Sequence, residues 1–466
     1  MTEAKFTTGP IIHHIFVMTS TASIGLMALF LVDFADIYFL SLLDDIAVTS
    51  AVGFGGTILF FPASVSIGLM IAMGALVSKA VGARKSKRAK QLSMNVFVYS
   101  LIVTAVVALL IWFSIPVLLT LLGAEGRAHG LASGYLRIVI ASMPVVGLAI
   151  VSAGLLRALG DAKRSMILTL SGAAVNGILD PILIFGFELG IEGAAIATVI
   201  SRLVMLAMAL HAIIIVHKIV APFSLRLFRS HLASISAIAV PAVLTNIATP
   251  IGSAYVIYGM SEFGNSAVAG MSIITKLMHV VFGVVFALSG VVGPIIGQNL
   301  GARKFDRIRK TFRDSIAFSF VFVLVVSFVL YLVADQIVAA FHMTDEAARL
   351  ITLYCKYLAV TFVFAGGLFV ANAGFNNLGR PTWSTGMNFG RATLGTIPFV
   401  YFGGKWFGAE GVLMGHTLGG IIFGVIAIIV ALRLVEKLAQ DAEDHPSSRL
   451  PGPCNPAASN TGEGSN

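Results

Sequence analysis

Long apolar runs, separated by short polar or basic stretches, divide almost the whole chain. A run of roughly 20 apolar residues can cross a ~30 Å hydrocarbon core as a helix. Such runs fall near residues 12–42, 46–75, 92–122, 133–157, 165–187, 191–217, 232–260, 265–297, 313–341, 350–377, 383–404 and 409–435. The pattern predicts an all-α integral membrane protein with twelve transmembrane helices. Several runs exceed the minimum, so tilt or helix beyond the bilayer is expected.

The pattern also repeats. Gly82-Ala83-Arg84-Lys85 recurs as Gly301-Ala302-Arg303-Lys304, Leu159-Gly160 as Leu378-Gly379, and Glu192-Gly193 as Glu410-Gly411, each about 219 residues on. Two homologous membrane halves are a common plan of secondary transporters, with the substrate path between them. The expected organisation is an N-terminal lobe over 1–217 (spans 1 to 6), a cytoplasmic linker over 218–231 and a C-terminal lobe over 232–437 (spans 7 to 12). A tail over 438–466, rich in Ser, Pro, Gly and Asn, is expected to be disordered.

Composition agrees: 57% of residues are hydrophobic and only 11% charged, against about 25% charged in a soluble domain. The start of the chain does not read as a cleaved signal, because His13 and His14 interrupt the first run. Cys355 and Cys454 are the two cysteines and indicate neither a disulfide framework nor a metal site.

The net charge of +9 is not read as nucleic-acid binding, since the basic residues cluster beside spans. The loop after span 2 holds Lys79, Arg84, Lys85, Lys87, Arg88 and Lys90. That after span 8 holds Arg303, Lys304, Arg307, Arg309, Lys310 and Arg313. Arg157, Lys163, Arg164, Lys218, Arg226 and Arg229 add to the same side, whereas the opposite loops are poor in Lys and Arg. Positive charge marks the cytoplasmic face, so both termini are expected there, in a plasma (inner) membrane. Trp112, Trp383 and Trp406 fall near span ends, where interfacial Trp is expected. The twin basic loops read first as topology anchors. Their near-identity gives a second reading, a structured turn in each half. No Walker-type phosphate loop is present, so an ion or substrate gradient is expected to supply the energy.

Charge inside a span costs on the order of 3 kcal/mol per group and invites a functional reading. Span 1 carries Asp33 and Asp36. Span 5 carries Asn176 and Asp180, whose spacing puts them on one helical face, with Pro181 next and a kink expected there. Span 6 carries Thr198. Asp36, Asn176, Asp180 and Thr198 together form an acid, amide and hydroxyl cluster. It can carry a proton, or its oxygens can coordinate Na+; the residues alone leave that choice open.

The second half differs. Val256 falls opposite Asp36, a residue near Thr393 opposite Asn176, and His416 opposite Thr198. Arg391, Lys276 and His279 are its charged or titratable span residues. Arg391 reads either as a snorkelling or helix-end residue or as a cavity group. The histidines read as core residues or proton carriers. The 16 Met and 33 Phe line lipid or helix interfaces and also suit a promiscuous apolar cavity.

Over roughly residues 10–437 the chain resembles the multidrug and toxic compound extrusion (MATE) family, nearest to its archaeal and DNA-damage-inducible branch. The motifs are Asp36-Ile37-Tyr38-Phe39 and Leu156-Arg157-Ala158-Leu159-Gly160-Asp161. They continue with Asn176-x3-Asp180-Pro181, Gly190-Ile191-Glu192-Gly193 through Thr198, and Gly297-Gln298-Asn299-Leu300-Gly301-Ala302. The resemblance implies two six-helix lobes around a V-shaped cavity. It also implies cation-coupled antiport of amphipathic, often cationic, drugs and toxins out of the cell by alternating access. It implies coupling at the positions of Asp36, Asn176, Asp180 and Thr198. The expected coupling ion is H+, with Na+ the alternative, and the expected unit is a monomer in lipid with no cofactor. Two positions depart from the family pattern. Pro241 has no counterpart near Thr21–Ala22 of span 1, so the resemblance carries no proline hinge there, and spans 7 and 10 lack membrane carboxylates. The runner-up reading is a flippase for a lipid-linked oligosaccharide or peptidoglycan precursor. A cationic cavity would support it, with Arg391 and Lys276 as candidates. An enzyme is disfavoured, because no nucleophile–base pair or metal-ligand cluster stands out.

Overall fold

The computed structural model describes residues 3–43, 45–341, 343 and 345–444. The first lobe comprises α1 (Ile11–Ser41), α2 (Ile46–Gly82), α3 (Ser86–Leu121), α4 (Gly126–Ala141), α5 (Met143–Ala158), α6 (Ala162–Pro181) and α7 (Gly190–Leu210). The second comprises α8 (Leu225–Ser261), α9 (Asn265–Val281), α10 (Gly283–Gly301), α11 (Phe305–Ala340), α12 (Asp345–Leu353), α13 (Phe362–Asn377), α14 (Pro381–Ala392) and α15 (Ile397–Asp444). The described residues contain no strand.

Twelve spans emerge once five breaks are understood: α12 and α13 together form the tenth, and α14 with the start of α15 the eleventh. The fourth span is α4 and α5, bent by 50° at Ser142. The eighth joins α9 to α10 at Phe282. In α15, Gly408 sits at φ 64, ψ −149, a backbone state open almost only to glycine. It divides the eleventh span from the twelfth, and the two arms fold back on each other: a Cβ on Gly411 would lie 2.0 Å from the Gly403 carbonyl oxygen, and one on Gly415 2.2 Å from that of Phe399. Pro181 has no N–H to donate and its ring crowds the preceding turn. The helix widens into a π turn over Ile182–Gly186 directly after it.

Helices run farther than the apolar runs that announce them. Lys79, Lys87, Arg88 and Lys90 lie on α2 and α3, so the expected basic loop shrinks to Ala83–Lys85. Arg84 and its repeat partner Arg303 both take left-handed backbone, at φ 56 and φ 58. The amides that follow fold back identically: Lys85 N–H donates to Ala80 O at 3.0 Å, and Lys304 N–H to Asn299 O at 2.9 Å. These are the helix C-caps of a Schellman type, so the twin motif is a structured turn as well as a site of charge. Likewise α8 begins at Leu225, inside the stretch 218–231 expected as linker, and α15 continues through 438–444. The rest of the expected tail, 445–466, lies outside the described residues.

The halves meet where the twin motifs end α2 and α10. A Cβ on Gly82 would lie 1.9 Å from the Gln298 carbonyl oxygen, and one on Gly301 would lie 2.1 Å from that of Lys79. The crossing is backbone against backbone, which glycine alone permits. Residues 5–9 fasten over it. Phe6 N–H donates to Gln298 Oε1 at 3.0 Å, Lys304 Nζ to Thr7 O at 2.8 Å, and Arg307 Nη2 to Phe6 O at 2.8 Å.

Candidate functional site

The candidate site is built on α6. Four residues apart on one helix, Asn176 and Asp180 share a face, and Asn176 Nδ2 donates to Asp180 Oδ1 at 2.9 Å. Both are buried. Because α1 packs lengthwise on α6, Asp36 meets them, and its carboxyl faces that of Asp180 at hydrogen-bonding separation. Neither carboxylate can donate when ionised. Asp36 Oδ1 and Asp180 Oδ2 are accordingly buried without a hydrogen-bond partner. Two acceptors in that position repel unless a proton or a cation lies between them.

Other expected residues are placed less centrally. Asp33 stands one turn before Asp36, within electrostatic reach of Arg202. Thr198, on α7, is half-buried. Among the described residues no hydrogen bond joins its hydroxyl to either carboxylate, and its carbonyl accepts from Ser201 Oγ at 2.8 Å. Two neighbours escaped the sequence reading. Arg202 on α7 is pinned by Val139 O at 3.0 Å and Ser142 Oγ at 2.7 Å. Tyr135 on α4 lies within electrostatic range of Arg202 and all three acids. The spacing of Arg202 from Thr198, one helical turn, was the available signal.

A second feature is a cavity of about 430 Å³ between the lobes. Most of its wall comes from the second lobe, including His279, Arg391 and His416. His279 Nδ1 pairs with Thr275 O at 2.7 Å and its ring stacks on Phe286. His416 Nδ1 is buried without a partner. Lys276 is exposed and does not line the cavity. From the sequence, Arg157 is expected among the cytoplasmic loop charges. It lies instead in the last turn of α5 and lines this cavity, because a helical side chain points back toward the N-terminus. Among the described residues, neither Asp36 nor Asp180 nor any other Asp or Glu lines the wall, so the buried acid pair stands apart from the cavity.

A buried acid pair in one lobe and a ligand-sized cavity between two pseudo-symmetric lobes fit a membrane transporter, not an enzyme. The profile of the MatE family matches twice, over residues 22–182 and 241–402, and the chain belongs to that family of multi-pass membrane transporters. The FAD transporter of Shewanella oneidensis is 28% identical over 428 residues, 90% of this chain and 94% of that one. The multidrug export protein MepA of Staphylococcus aureus is 26% identical over 419 residues, 88% of this chain and 91% of its own. Among solved structures, the Vibrio cholerae MATE transporter VcmN in the bent form superposes with a TM-score of 0.87 at 27% identity, covering 92% of this chain and 97% of that one.

Proposed function

We propose that the chain is a cation-coupled antiporter that exports amphipathic organic compounds by alternating access, with both termini in the cytoplasm and a single chain as the working unit. The observation that carries the reading is the apposition of Asp36 and Asp180, with Asn176 donating to one and buried oxygens left over. The coupling ion is a proton, held where the two carboxyls meet. Water reaching the pair from outside loads it, and water reaching it from inside empties it. Loading at α1 and α6 changes how the first lobe packs and moves the transporter between its two facing states. Coupling through the first lobe is the mode implied for the archaeal and DNA-damage-inducible branch. Export as the direction is supported by the Staphylococcus relative, a multidrug export protein by name.

The test is transport in vesicles under a pH gradient or a Na+ gradient, imposed separately, for wild type and Asp180→Asn. Efflux driven by the pH gradient alone and lost in the variant is the expected result. Efflux driven by Na+ alone keeps the site and replaces the ion. Gradient-driven efflux that survives the substitution refutes coupling at this pair.

A further inference from the structure

The cavity between the lobes holds polar groups that the fold leaves unused. Arg157 comes from α5 of the first lobe and Arg391 from α14 of the second, and both line it. Among the described residues, the Nε of each is buried with no hydrogen-bond partner, as are His416 Nδ1, the side-chain oxygens of Asn376 and Asn377, and the Tyr354 hydroxyl. All six residues line the same cavity. What partners the two guanidiniums have are neutral. Arg157 reaches Ser165 Oγ at 3.3 Å and Met70 Sδ at 2.6 Å, and Arg391 Nη2 reaches Thr249 Oγ1 at 3.5 Å. Among the described residues neither takes part in an ion pair.

A guanidinium does not shed its proton in a protein, and an unpaired cation inside a membrane is costly. Two of them facing one cavity, with no carboxylate among the described residues of its wall, leave a counter-charge to be supplied by the ligand. The same cavity has an aromatic patch. Phe286 stacks on His279 with centroids 5.3 Å apart and 4° between the planes, and Phe362 and Phe369 pack on it at 5.8 and 5.3 Å. A volume of about 430 Å³ lies in the range of drug-sized ligand sites.

We infer that this cavity binds an amphipathic organic anion, a phosphate or carboxylate on an aromatic or apolar body. Arg391 and Arg157 hold the anion from opposite lobes, and the Phe286 cluster takes the body. The asparagine oxygens accept from donors on that body. The inference rests on the proposed exporter function only for the direction of movement, because binding needs no gradient. A soluble compound and a lipid headgroup both offer this chemistry.

Purified full-length protein in lipid nanodiscs is titrated with riboflavin 5′-phosphate, riboflavin and ethidium, following their fluorescence. The first two share a ring and differ by the phosphate, and the third is a cation. The phosphate compound is expected to bind about tenfold or more tighter than riboflavin, with ethidium weaker than both. Arg391→Gln is expected to erase most of that preference and Arg157→Gln to reduce it. Arg391→Lys, which keeps the charge, is expected to retain much of it and separates charge loss from misfolding. Displacement of the bound flavin by phosphatidic acid added to the discs identifies the natural anion as a lipid phosphate, and its failure identifies a soluble one. No saturable binding of riboflavin 5′-phosphate, equal binding of the charged and neutral rings, tightest binding by ethidium, or a preference that survives both glutamine variants overturns the inference. Loss of gradient coupling with binding intact would count against the exporter reading alone.

Discussion

Single side chains in this protein do separate jobs on the two sides of the cavity. Asp161 caps α6: it accepts from Arg164 N–H at 3.1 Å and Arg164 Nη1 at 2.6 Å, and pairs with His217 Nε2 at 2.7 Å. Burial alone would raise its pKa, but the hydrogen bonds from His217 and Arg164 outweigh it and hold the carboxyl well below the usual carboxylate range. A depressed folded pKa gives stability that is complete above the unfolded value of about 3.9 and is lost as pH falls through the lower folded one. Asp161→Asn should therefore cost about 1–3 kcal/mol at pH 7, and the difference in melting temperature from wild type in detergent should narrow below about pH 4. A gap of constant size across that range would refute the ion-pair account. Of the acid site, Asp36, Asn176 and Asp180 were legible in the sequence, because a charge in an apolar run is conspicuous and a spacing of four fixes a shared face. Arg157 was not. It sits one residue before the end of α5, and only the backward cant of helical side chains reveals that it turns into the protein.

At the scale of helices, the apolar runs located every span but misjudged the ends, since charged side chains such as Lys87 and Arg307 are tolerated on helical turns that leave the hydrocarbon. The division of α15 at Gly408 lay close to the expected boundary between 404 and 409. The π turn after Pro181 was legible only as an expected kink. The crossing of α2 and α10 was not visible at all, because a glycine in an apolar run announces close approach without naming its partner. Gly301→Val tests it. A Cβ there has no room beside the Lys79 carbonyl, and the crossing is backbone on both sides, so the helices must separate rather than repack. Proteolysis at Arg84 and Arg303 should become faster in the variant by about tenfold or more, with helical content retained by circular dichroism. Unchanged protection would mean that the two helices do not hold this end closed.

For the whole molecule, the fold places the buried acid pair in the first lobe and the cavity along the seam and the second lobe. The sequence showed this division as missing acids: Val256 stands where Asp36 has its repeat, and the structure buries it completely in an apolar cluster. Communication between the sites then has to pass through contacts that both lobes share, chiefly those of α2 with α8 and α10 and of α1 with α10. The contact at the twin glycines has one more property. Gly82 approaches Gln298 while Gly301 approaches Lys79, and the repeat offset of about 219 residues relates Gly82 to Gly301 and Lys79 to Gln298. Each patch therefore touches the repeat image of the other, which is the rule of an isologous two-fold interface, here enclosed within one polypeptide. Such an interface is complete without the covalent join. Cutting the chain between α7 and α8, at 218–224, and co-expressing the two pieces should yield a complex that co-purifies and transports. Pieces that fold yet fail to associate would show that the join, and not the self-complementary seam, keeps the halves together.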